Sequence, residues 1–126
     1  MKQVCLINLV LFLALFSNAN INAQNKDYYI RQAGQHQREA MYYSNEAEKY
    51  WRDVKYYTKQ ADGHLRDADY YMRKGDVSGA QLRQKWANDA MDKARLRQKW
   101  ANEASRKATL RMQWASEALR KAKRHF

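Results

Sequence analysis

Small residues recur along the chain at strict intervals of seven: Ala33, Ala40, Ala47, Val54, Ala61 and Ala68, then Ala80, Ala87, Ala94, Ala101, Ala108, Ala115 and Ala122. Seven is the period of one stripe on an α-helix that packs along its length against another helix. Between Ala68 and Ala80 the step is twelve, and there the chain reads Gly75-Asp76-Val77-Ser78-Gly79. Glycine supplies the left-handed residue that ends a helix, and Ser78 with Gln81 three places on has the spacing of a capping box. The pattern predicts an all-α protein: helices over 26–74 and 79–124, a turn over 75–79, and the two stripes as the seam of a long antiparallel hairpin. A turn centred between residues 77 and 78 sets Ala68 opposite Ala87 and Ala33 opposite Ala122.

The bulky residues keep a doubled beat of fourteen. Tyrosine pairs stand at 28–29, 42–43, 56–57 and 70–71, and a second unit carries Trp86, Trp100 and Trp114 together with Leu82, Leu96 and Leu110. These residues flank the stripe in an arc wider than one partner helix covers. Fourteen helical residues rise about 21 Å, so the expectation is a ladder of rings facing outward at that interval. Such surfaces usually meet another protein copy. Self-association is therefore expected through Tyr28, Tyr42, Tyr56, Tyr70, Trp86, Trp100 and Trp114, which packs hairpins into a larger helical bundle or a filament.

Local preferences agree with helices. There is no proline, and alanine, lysine, arginine, glutamine and glutamate fill most positions. Gly34 and Gly63 are the only internal weak points, and the alanine beat passes both without a change of phase. Asp27, Glu48, Asp62 and Asp69 each have arginine four residues on, and Asp89, Glu103 and Glu117 each have lysine. That order predicts seven intrahelical ion pairs, a structural use for acids that enzymes otherwise employ.

Ahead of the repeats, Lys2 is followed by an apolar run from Val4 to Phe16 and then by Ser17-Asn18-Ala19-Asn20-Ile21-Asn22-Ala23. Charge, apolar run and small residues in that order make a secretory signal peptide over 1–23, cut after Ala23 or, as a second choice, Ala19. The chain's one cysteine, Cys5, leaves with it, so the mature part, 24–126, enters a disulfide-permitting compartment with no disulfide to form. The expected location is secreted, extracellular or within the periplasm or cell envelope.

Charge is lopsided. The leader removes one lysine, leaving 23 basic and 13 acidic groups; residues 24–79 hold 10 and 9 of them, residues 80–126 hold 13 and 4. The basic second helix supports an alternative role: binding acidic polysaccharide, extracellular DNA or anionic lipid through Arg83, Lys85, Arg97, Lys99, Arg111, Arg120 and Lys121, with tryptophan interleaved for stacking.

Enzyme chemistry finds no foothold in the sequence, which has no phosphate-cradling glycine loop, no GxSxG, no HExxH and no cysteine after processing. His36 and His64 are 28 residues apart, too far along a helix to share a metal ion, and His125 is at the chain end. The expectation is thus an exported, non-catalytic structural protein with no cofactor, no metal and no small-molecule substrate, whose partner is itself.

Overall fold

The computed structural model describes the backbone of residues 2–124 and the side chains of residues 23–124. Two helices, α1 (Lys2–Arg73) and α2 (Val77–Lys123), pack antiparallel as a hairpin. Helix α1 is continuous from Lys2 through Gly34 and Gly63, so residue 26 is not its start. The side chains of residues 1–22, where the signal peptide is expected, lie outside the described ones. Among the described residues no helix is long and apolar enough to cross a membrane.

The link is shorter than the predicted 75–79. Gly75 adopts φ +80°, the left-handed conformation that costs an L side chain about 1–2 kcal/mol. This lets the Gly75 N–H donate to the Met72 carbonyl at 3.0 Å and the Asp76 N–H donate to the Tyr71 carbonyl at 2.9 Å, the paired bonds of a Schellman ending. Asp76 then caps the next helix. Its Oδ1 accepts from the Gly79 N–H at 2.9 Å, and its carbonyl accepts from the Ala80 N–H at 3.0 Å. The cap is therefore Asp76 and not Ser78, which lies one residue inside α2. Gly79 suits that arrangement: a Cβ there would come within 2.5 Å of the Asp76 carboxylate.

Contacts divide the chain into two units, one made of residues up to Ala40 with those from Thr109 on, the other of Met41–Ala108. In the first, Ala33, Ala40, Ala115, Ala118 and Ala122 are buried; in the second, Ala47, Ala61, Ala68, Ala80, Ala87, Ala90, Ala94, Ala101 and Ala104. Every buried hydrophobic residue described is alanine. Of the thirteen stripe positions in the predicted seam, eleven are buried, and Val54 and Ala108 are half-buried. Ala90, Ala104 and Ala118 extend it, each three residues after a stripe alanine and so on the same face of α2. With methyl groups on both sides of the seam, the helices approach closely and larger side chains are displaced to the flanks.

Candidate interaction surface

One flank carries an ordered series of ring and charge contacts. In the Met41–Ala108 unit, Tyr50 meets Trp100 edge to face at 5.6 Å and His64 meets Trp86 in the same way at 5.7 Å. Between them Lys93 sits over Tyr57 at 5.7 Å, and beyond Tyr50–Trp100 Lys107 sits over Tyr43 at 5.4 Å. The other unit repeats both motifs: His36 meets Trp114 at 5.5 Å, and Lys121 lies over Tyr29 at 5.9 Å.

Each of these three tryptophans is also covered from its own helix. Arg83, Arg97 and Arg111 stack on Trp86, Trp100 and Trp114 at 4.4–4.5 Å, one helical turn ahead of each. Acids of α1 hold two of these guanidinium groups. Arg111 Nε lies 2.9 Å from Glu39 Oε2, and Arg97 Nε lies 3.7 Å from Asp53 Oδ2. Arg83 instead donates to the Tyr71 hydroxyl at 3.4 Å. A guanidinium stacks flat on an indole and still donates in its own plane, which is why arginine suits this position.

Within each unit, residue n of α1 meets residue 150 − n of α2 in every cross-helix ring, lysine–tyrosine and ion-pair contact named above, the Arg83–Tyr71 bond excepted. The expected register, with Ala68 opposite Ala87, is displaced by five residues. The cause is the short link: only Lys74, Gly75 and Asp76 separate the helices, and so the axis of the turn falls near residue 75. By the same rule Ala68 faces the gap between Ala80 and Ala87.

The charge pattern differs from the sequence expectation too. Of the seven i, i+4 ion pairs, only Asp69–Arg73, at 2.8 Å, forms among the described residues. Arg31 turns to the Asp27 carbonyl, and Lys93, Lys107 and Lys121 turn from Asp89, Glu103 and Glu117 to tyrosine rings of α1. An ammonium over a ring keeps its hydration on one side and buries its methylene stem on the other, where a surface ion pair gains little.

The seven residues expected to drive self-association fall into two groups. Tyr28, Tyr42, Tyr56 and Tyr70 are 52–60% exposed, each edge to face with the inner tyrosine beside it. Trp86, Trp100 and Trp114 are instead folded against α1, with about a third of their surface left open at Trp86 and Trp114. Leu82, Leu96 and Leu110 add exposed apolar surface of the same period. A cleft of about 300 Å³ opens at Tyr42, walled by Tyr50 and Trp100 and bearing the carboxylates Glu46 and Glu103.

Among the polyanion candidates, Arg83, Arg97 and Arg111 are half-buried in the tryptophan stacks, Lys121 is held over Tyr29, and Lys85, Lys99 and Arg120 are exposed. No three metal-ligating side chains cluster among the described residues. Compared with known proteins, the chain matches no family model, no curated protein and no solved structure.

Proposed function

We propose that this chain is an exported structural protein that assembles with copies of itself through the repeating tyrosine flank of its hairpin, as a subunit of a filament or of an envelope or extracellular matrix. One observation carries the reading: four tyrosine rings more than half exposed, at intervals of fourteen residues along α1, with exposed leucines at the same interval along α2. Identical units at a fixed step serve lateral packing, in which each unit contributes equally, better than they serve a single ligand. The three tryptophans belong to the same surface, but their first task is to fasten α2 to α1.

Sedimentation velocity and electron microscopy of the purified protein test the proposal. Species larger than one chain, growing with concentration from 1 to 100 micromolar, are expected; a sharp monomer across that range refutes it. Polyanion binding is the weaker reading, because four of its seven cations are committed to rings of the same chain. What favours it is the exposed basic side of α2, where Arg95, Lys99 and Arg106 border a shallow depression. Heparin binding that falls steeply with added salt would support it, and absence of binding at low salt would end it.

A further inference from the structure

Within the Met41–Ala108 unit, two rows of residues are complementary in chemistry, and a fourteen-residue step is common to Tyr42 and Tyr56 in one and Lys85 and Lys99 in the other. The first is the outer tyrosine row, Tyr42, Tyr56 and Tyr70, on the flank described above. The second is Lys85, Lys99 and Arg106 on α2. Each lies five residues after a stripe alanine and so on the side of the helix turned away from α1; all three are exposed. Lys85 and Lys99 are fourteen residues apart, as Tyr42 and Tyr56 are, so each interval rises about 21 Å along its helix.

Tyr70 has Lys74, the residue after α1, over its ring at 4.5 Å, while the other two rings of the row and all three cations are open among the described residues. The inner tyrosines Tyr43 and Tyr57 each have a lysine of α2 over the ring, whereas among the described residues no cation lies over Tyr42 or Tyr56. Lys85, Lys99 and Arg106 in turn have no ion-pair or ring partner among the described residues. Carboxylates accompany the tyrosines: Asp53 and Asp67 come three residues before Tyr56 and Tyr70, and Glu46 and Glu103 line the cleft at Tyr42. Ring faces beside carboxylates attract ammonium and guanidinium groups. Helix α2, with 13 basic and 4 acidic residues from Ala80 on, repels a second α2 and is drawn to that flank.

We infer that the partner of the tyrosine row is the outer side of α2 in a second copy of this chain, with Lys85 and Lys99 set over the open rings of Tyr42 and Tyr56 and Arg106 adding to the charge of that side. The inference rests on the self-assembly reading and makes it specific. Because the tyrosine row and the cation row are different surfaces of one molecule, each copy offers both, and the contact runs head to tail. A head-to-tail contact adds a further copy at each end and polymerises unless its rotation closes a ring. The interaction repeats between molecules what Lys93 on Tyr57 and Lys107 on Tyr43 do within one.

The test uses two full-chain variants, Lys85→Gln/Lys99→Gln/Arg106→Gln and Tyr42→Ser/Tyr56→Ser/Tyr70→Ser, followed by sedimentation velocity, with circular dichroism confirming unchanged helicity. Each variant alone is expected to associate at least about tenfold more weakly than the unmodified chain. Mixed one to one, they are expected to form a species of two copies, since each keeps the row that the other lacks. A third variant, Lys85→Arg/Lys99→Arg, is expected to assemble normally and so separates loss of charge from loss of structure. If the unmodified chain assembles and the glutamine variant assembles equally well, or if the mixture yields no paired species, the inference is wrong while self-assembly stands. If the unmodified chain remains monomeric, both fall.

Discussion

His36 and Trp114 meet edge to face, and in the second unit Tyr50 holds the same relation to Trp100. Histidine and tyrosine are therefore alternative occupants of one kind of position, a ring of α1 against an indole already stacked by arginine. His64 with Trp86 is the third case. His36 and His64, too far apart along the helix to share a metal ion, are packing residues.

Exchange follows from that equivalence. His64→Tyr is expected to leave the unfolding temperature unchanged or higher, because the ring contact is kept and the apolar area grows. His64→Ala removes a pair worth about 0.5–1.5 kcal/mol and should lower stability by about that much. Thermal unfolding followed by circular dichroism checks both. Equal stability of His64→Ala and the parent would show that the contact contributes nothing.

The corner separates two capping assignments. Asp76→Ala should cost about 1 kcal/mol through loss of the bond to the Gly79 N–H. Ser78→Ala should change stability by less than about 0.5 kcal/mol. Gly75→Ala should cost about 1–2 kcal/mol, because alanine is strained at φ +80°. Guanidinium unfolding of the three variants orders them, and a Ser78 effect larger than the Asp76 effect would restore the capping box.

Along the seam, Ala101 is fully buried whereas Ala108 is half-buried. Ala101→Leu forces the helices apart and should cost about 1–3 kcal/mol or more. The same change at Ala108 has an open side to relax into and should cost clearly less. The difference between the two midpoints in denaturant is the readout.

Lys107 distinguishes ring contact from ion pairing. Lys107→Gln should lower stability by about 0.5–1 kcal/mol, the usual worth of an exposed cation over a ring. Glu103→Gln should be neutral within about 0.5 kcal/mol, since that acid does not reach Lys107. Equal losses from the two changes would mean that the sequence-level pairing of Glu103 with Lys107 operates in solution.

Processing can be checked directly. Intact mass and N-terminal sequencing of protein recovered outside the producing cell should show a chain that begins at Gln24. Recovery only inside the cell with Met1 retained would remove the export proposal.

The hairpin and its seam were legible because both depend on local information: a seven-residue beat, its single interruption, and glycine at the break. The flank was not, because it depends on register, and register depends on the length of the link. A turn centred between residues 77 and 78 places Lys55 opposite Trp100, and only with the shorter corner does Tyr50 arrive there. The lysines were misread for the same reason. Asp89 stands four residues before Lys93 in the sequence, while Tyr57 becomes its neighbour only once the helices are aligned. Ala90, Ala104 and Ala118 were visible in principle. They alternate with Arg83, Arg97 and Arg111 on a seven-residue row, and only a fourteen-residue count separates the buried alanines from the stacking arginines.

Because Asp76 serves both as the last residue of one cap and the first of the next, the corner leaves no slack between the two arms. Their complementary teeth are of two alternating kinds, indole against imidazole or phenol, and amine against phenol. Removing seven residues from one arm alone would bring every tooth against the wrong notch beyond the cut, whereas removing fourteen would restore the match and merely leave the arms unequal. A gene of this design can lengthen or shorten one arm of its product without spoiling the fit only in whole double-heptads.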